Sequence, residues 1–217
     1  MISFKDYLLE KDSPGNTIVV FPGRFQPFHL GHRNYYLKAK KAFPQAHFYI
    51  ATSNPTPAQL QKEPDRYPFS FDEKKKIMLA AGIPDNEIVL TAQPYKPVEI
   101  LQKYNPLTDK VIFLVGEKDM KEDPRFGFKP LKSGAPSYFQ PFTSLDTMTS
   151  FNPEGGHGYI YAPGTITFSI DGHQITSASE LRNEFKLGDE KKRQRIIIDV
   201  VGRPNPEIYN LFSAKLR

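Results

Sequence analysis

The sequence predicts an α/β fold, an open parallel sheet with helices on both faces, on three observations. Short apolar runs alternate with helical patterns from residue 17 onward, which is the order of a parallel sheet built from strand–helix–strand units. Those runs are continuous rather than alternating, as befits strands covered on both sides. At 217 residues the chain has the length of one domain with a substantial core.

Taken in order, residues 2–9 read as a short helix, closed by the turn formers Asp12, Ser13, Pro14, Gly15 and Asn16. Residues 17–21 form a β-branched and aromatic first strand, and 31–42 the helix that follows it. Residues 47–52 are a second strand. Residues 71–81 are a helix whose Lys74, Lys75 and Lys76 read most simply as a solvated face, ended by Gly82-Ile83-Pro84. A third strand is expected at 88–91, a helix at 97–104, and the strongest apolar strand at 110–115.

From 121 to 164 the pattern dissolves into Pro, Gly, Ser and aromatic residues, and this stretch is expected to be an irregular insertion or lid. Its Arg125, Phe126, Phe128, Lys129, Lys132, Tyr138 and Phe139 suit a lid, single-stranded nucleic-acid contacts or a subdomain core. A strand at 165–170, a helix from 179 to 185 and a helical tail at 190–216 broken at Gly202-Arg203-Pro204 complete the chain. The organisation is thus one domain over 1–217, with its core at 17–120 and 165–188, an insertion at 121–164 and a C-terminal helical part at 189–217.

The formal charge of +5 favours anionic partners. With no cysteine, disulfides, thiolate nucleophiles and Cys-ligated metals drop out. The first eleven residues lack the apolar core of a signal peptide, and no run of about 18 apolar residues occurs, so the expected setting is cytoplasmic, with no membrane partner.

The most informative segment is Gly23-Arg24-Phe25-Gln26-Pro27-Phe28-His29-Leu30-Gly31-His32, where the first strand ends and the first helix begins. Open parallel sheets bind ligands at this edge. Gly23 permits a sharp turn and close approach of backbone to ligand, and Pro27 fixes one φ angle. His29 and His32, three apart, project from one helix face with Gly31 removing a side chain between them. At a helix N-terminus two imidazoles add directed donors to an anion site. The bland readings are metal ligands or surface residues; an i,i+3 pair alone lacks a third ligand.

This segment resembles the signature of the HxGH nucleotidyltransferases, and its lead-in resembles the archaeal-type nicotinamide mononucleotide adenylyltransferases. Thr176-Ser177-Ala178-Ser179-Glu180-Leu181-Arg182 is similar to that superfamily's second signature, Ile-Ser-Ser-Thr-x-Ile-Arg, with Thr176, Ala178 and Ser179 among the differences. By itself it is also an ordinary helix cap with a capping box from Ser177 to Glu180. Val115-Gly116-Glu117-Lys118-Asp119 resembles the Gly-x-x-Asp segment near the adenosine, although an Asp after a strand also serves plain turns. Pro68-Phe69-Ser70-Phe71-Asp72-Glu73-Lys74 is similar to Asn-Pro-Phe-Thr-x-x-Glu-Arg, with Tyr67 for the Asn and Lys74 for the Arg.

The resemblance implies a Rossmann-like, HUP-type nucleotidyltransferase fold and transfer of AMP from ATP to nicotinamide mononucleotide, giving NAD and pyrophosphate. It implies catalytic roles for His29, His32, Arg24 and Arg182, with the histidines facing the triphosphate and the arginines on its β- and γ-phosphates. Gly23, Phe25, Gly31, Gly116, Asp119, Ser177 and Ser179 would bind the nucleotide. Thr52, Ser53 and Phe69 would border the acceptor. Mg²⁺ is expected with ATP, held by phosphate oxygens and water, with no protein ligand assigned. The alternatives are cytidylyl or adenylyl transfer to pantetheine phosphate or a phospho-alcohol, and a nucleotide-binding structural or sensing module. Nucleic acid is not an expected partner, and homo-oligomer formation is left open.

Overall fold

The computed structural model describes residues 15–216; the helix expected at residues 2–9 lies outside them. The elements run β1 (Thr17–Pro22), α1 (Leu30–Ala42), β2 (His47–Thr52), α2 (Pro57–Lys62), α3 (Phe71–Ala80), β3 (Ile88–Leu90), α4 (Val98–Leu101) and β4 (Lys110–Leu114). There follow α5 (Glu117–Glu122), β5 (Phe139–Pro141), β6 (Gly158–Tyr161), β7 (Ser169–Ile170), β8 (His173–Gln174), α6 (Ala178–Leu187), α7 (Glu190–Val201) and α8 (Pro206–Lys215).

Six strands form one parallel sheet in the order β3-β2-β1-β4-β6-β5. The continuous apolar strands β1 and β4 sit at its centre, and their alternate side chains feed two cores. Val19, Phe21, Ile112 and Leu114 pack with Tyr35 and Tyr36 of α1, Ile77 of α3, Leu181 of α6, Ile196 of α7 and Phe212 of α8. Ile18, Val20, Val111 and Phe113 point the other way, toward Ile100 of α4 with Phe126 and Phe151. A strand side chain alternates faces at every residue, so the apolar run is what a two-sided core requires.

That second face corrects the reading of residues 121–164 as wholly irregular. The stretch contributes β5 and β6 to the main sheet, and its Phe126 and Phe151 cover the face that α4, four residues long, is too short to cover. The strand expected at 165–170 is likewise shorter: Ser169 and Ile170 pair antiparallel with His173 and Gln174 in a separate two-stranded sheet. The helix expected at 97–104 is confined to α4.

The tail breaks where expected. Gly202 ends α7 with φ +87°, a left-handed conformation that a side chain resists, and Asn205 caps α8 by accepting from the Ile208 N–H at 3.0 Å. Among the described residues no helix is long and apolar enough to cross a membrane.

Candidate active site

The carboxyl ends of β1 and β4 open onto a cavity of about 1560 Å³. The ladder continues one step past β1, where the Gly23 N–H donates to the Ala51 carbonyl at 3.0 Å. Phe25 then takes φ +47°, and its ring folds back over Gly23, where a Cβ would lie 2.6 Å from the ring. Packing against the Phe25 ring therefore favours glycine at 23, while the left-handed residue of the turn is Phe25 itself. The Gln26–Pro27 peptide is cis.

His29 is the N-cap of α1 and His32 the third residue of that helix, and their ring centroids are 3.8 Å apart. The two rings adjoin even though His29, with extended φ and ψ, precedes the helix rather than lying in its first turn. The His29 ring stacks on Phe168 at 4.2 Å, and the Phe25 ring meets His32 edge-on at 5.2 Å. Gly31 does more than remove a side chain: a Cβ there would stand 2.3 Å from the Thr167 carbonyl oxygen and 3.0 Å from the His29 ring. It admits the segment that carries Phe168 against the helix start.

The histidines are neutral in this setting. Burial pulls the His32 pKa down to about 3, and burial followed by the neighbouring His32 pulls His29 well below the usual histidine value. The His29 backbone N–H donates to His32 Nδ1 at 3.3 Å. A neutral imidazole that accepts at Nδ1 carries its proton on Nε2, so His32 is a fixed donor through that atom.

The second signature meets the first directly. Arg182, 8% exposed, donates through one nitrogen to the Gln26 carbonyl at 2.6 Å and through another to Ser179 Oγ at 2.9 Å. Burial lowers its pKa; Arg24 and Arg66 lower it further and Asp65 opposes them. Ser177 caps α6 by accepting from the Glu180 N–H at 3.1 Å. The reciprocal arm differs from the expected capping box, because the Glu180 carboxylate accepts from the Thr176 N–H at 2.8 Å and its hydroxyl at 2.9 Å.

Gly23, Arg24, Phe25, His29, His32, Ser53, Gly116, Asp119, Ser177, Ser179 and Arg182 all line the cavity. Gly31 does not, and neither do Thr52 and Phe69, both fully buried. The expectation that Thr52 and Phe69 border the acceptor is therefore corrected: no surface of either reaches the cavity. The Phe69 backbone is instead held by Gln26, whose amide donates to the Phe69 carbonyl at 2.7 Å and accepts from its N–H at 2.9 Å. Thr52 Oγ1 accepts from Lys74 Nζ at 2.7 Å.

Lys74 is the larger correction. Of the three lysines read as a solvated face, Lys75 pairs with Asp85 and Lys76 with Glu207 at the surface, whereas Lys74 is 1% exposed. Its ammonium also donates to the carbonyls of Arg24 at 3.2 Å and Ser53 at 2.6 Å. Burial lowers its pKa to about 8. Gln26 and Lys74 both stand in segments that resemble the family's, but the sequence assigns neither a role, since both types ordinarily face solvent and neither pattern signals a main-chain partner.

Positive charge is thus available at the cavity. Among the described residues neither Arg24, which is exposed to the cavity, nor Arg182 forms an ion pair. A buried guanidinium held by a carbonyl and a hydroxyl keeps its charge and attracts a ligand anion. Among the described residues no group of three or more His, Asp or Glu side chains is arranged to hold a metal ion.

A family described as Cytidylyltransferase-like matches residues 20–142, more than half of the chain. Among solved structures, a Plasmodium falciparum nicotinic acid mononucleotide adenylyltransferase complexed with APC is 13% identical, with 92% of this chain and 95% of that one covered and a TM-score of 0.48. None of the curated proteins compared with the chain matches it.

Proposed function

Since the chain belongs to the cytidylyltransferase-like family and is a nucleotidyltransferase, we propose that it transfers AMP from ATP to nicotinamide mononucleotide, yielding NAD and pyrophosphate. The observation that carries this reading is the convergence of Arg24 and Arg182, which have no ion-pair partner among the described residues, with the neutral His29 and His32 pair around one cavity at the sheet edge. The Arg24 to Pro27 lead-in favours the nicotinamide nucleotide as acceptor.

In this reaction an acceptor phosphate oxygen forms a bond to the α-phosphorus of ATP while the bond to the β-bridging oxygen breaks, releasing pyrophosphate. A phosphate monoester, with a second pKa of about 6, is already largely deprotonated at neutral pH, so no strong base is required. The work is alignment of two polyanions and relief of their repulsion. Arg24 and Arg182 supply the charge. His29 and His32, neutral by burial, supply geometry instead, and the His32 Nε2–H is a donor for the α-phosphate, where charge develops.

Ser177 and Ser179 would present the start of α6 and their own O–H donors to phosphate, since each hydroxyl oxygen only accepts in its bond from the Glu180 N–H or from Arg182. Mg²⁺ would neutralise phosphate charge. Such an ion would be carried in by the triphosphate and held through its oxygens and water, with no protein ligand proposed.

The test is purified protein with Mg²⁺, ATP or CTP, and a panel of nicotinamide mononucleotide, pantetheine phosphate and a phospho-alcohol, following pyrophosphate and the dinucleotide. Release with ATP and nicotinamide mononucleotide is expected. Release from a different pair would replace the acceptor or the nucleotide, and bound ATP with no release from any pair would favour a binding module.

A further inference from the structure

We propose that Lys74 is a positioning residue, whose ammonium clamps the carbonyl ends of two loops at the sheet edge and so sets where the Arg24 guanidinium stands in the cavity. The inference rests on the reading of that cavity as a triphosphate site.

The geometry is complete on the side of the lysine. An ammonium has three donors, and Lys74 uses them on the Arg24 carbonyl, the Thr52 hydroxyl and the Ser53 carbonyl, at 3.2, 2.7 and 2.6 Å. Arg24 follows β1 and Ser53 follows β2, so one cation joins the loops of neighbouring strands. Lys74 itself stays outside the cavity lining, whereas Arg24 and Ser53 are part of it. The clamp therefore acts from behind the wall.

Stability alone is a poor reason for such a residue. Among the described residues no carboxylate pairs with Lys74, and a buried cation without one costs more than an apolar side chain of the same length. Its neighbours on α3 do not compensate: Glu73 is paired with Lys215 and Lys75 with Asp85. What the ammonium achieves is local. It takes two carbonyl oxygens at the mouth of an anion site out of contention with phosphate, and it anchors the backbone of Arg24 immediately before Phe25, whose φ of +47° leaves that loop little intrinsic preference for its shape.

A role exercised through Arg24 differs measurably from a general packing role. Dissociation constants for Mg-ATP, measured by calorimetry on the full chain, are compared for the unsubstituted protein, Lys74→Met, Arg24→Ala and the double variant. Lys74→Met is expected to weaken ATP about tenfold when Arg24 is present and less than about twofold when it is already alanine, as coupled residues behave in a double-mutant cycle. Thr52→Val, which removes one acceptor at nearly constant size, gives the same comparison if Lys74→Met does not fold, with an expected loss of about threefold that vanishes beside Arg24→Ala.

Equal losses in both backgrounds, or no loss when Arg24 is intact, would overturn the proposal while leaving the nucleotide site standing. Absence of ATP binding by the unsubstituted protein would overturn the reading of the site and the proposal with it.

Discussion

The Arg182 guanidinium donates to the main-chain carbonyl of Gln26 at 2.6 Å, joining residues 156 positions apart. Its second arm is spent on Ser179 Oγ at 2.9 Å, so the fork is fixed by two neutral acceptors and its charge is left for a ligand. A lysine keeps the charge and loses the fork. Arg182→Lys is expected to lower kcat/KM about tenfold and Arg182→Ala about a hundredfold, measured by steady-state pyrophosphate release. Wild-type activity in Arg182→Lys would show that the fork is dispensable.

Gln26 completes the other half of that junction by pairing with both backbone groups of Phe69, at 2.7 and 2.9 Å. Gln26→Leu strands a buried N–H and a buried carbonyl, at a cost of about 2–4 kcal/mol. The urea midpoint should fall accordingly with an unchanged denaturant slope. A shift within experimental error would mean that the two Phe69 groups find other partners.

Gly31 faces a different constraint, the Thr167 oxygen 2.3 Å from where its Cβ would be. Gly31→Ala should destabilise the protein by about 2 kcal/mol or more, because the methyl group would meet a main-chain oxygen and the His29 ring, which is packed on Phe168. Gly155, where an added methyl group would meet nothing within 4 Å, is the control. Its alanine variant is expected to stay within about 0.5 kcal/mol of the parent by thermal unfolding.

Buried His29 and half-buried His32 make a pH prediction with a definite sign. His32 has a pKa of about 3 folded against an ordinary 6.5, and His29 is shifted in the same direction, so between those values the unfolded chain binds more protons. Their contribution is intact above pH 6.5 and is lost at lower pH, that of His32 as the pH falls toward 3. The imidazole C2–H resonances of both should hold still from about pH 8 to about pH 5, and titration of either near its ordinary value would contradict the burial argument. In catalysis, His32→Ala should lower kcat by a larger factor than it raises KM for ATP.

Several features could be read before folding was considered. β2 occupies the residues expected of it, β1 and β4 differ by one residue at an end, and the tail breaks at Gly202, because each depends on residues adjacent along the chain. The His29 and His32 pair was legible from its local spacing, whereas the Ser177 to Arg182 segment was legible only through its resemblance to the superfamily's second signature, since by itself it reads as an ordinary helix cap. β5 and β6 were hidden in a Pro- and Gly-rich stretch: strands of three and four residues draw their stability from the strand beside them rather than from their own composition.

Local sequence therefore carries the α/β order of elements, the two signature-like segments and an overall surplus of basic side chains. Only the tertiary structure decided that Lys74 serves the Arg24 loop from 50 positions away, that Gln26 serves Phe69 from 43, and that Arg182 serves Gln26 from 156. The physical reason is that a buried polar group takes whichever main-chain partner the fold brings within about 3 Å, and no local pattern of residues records that choice.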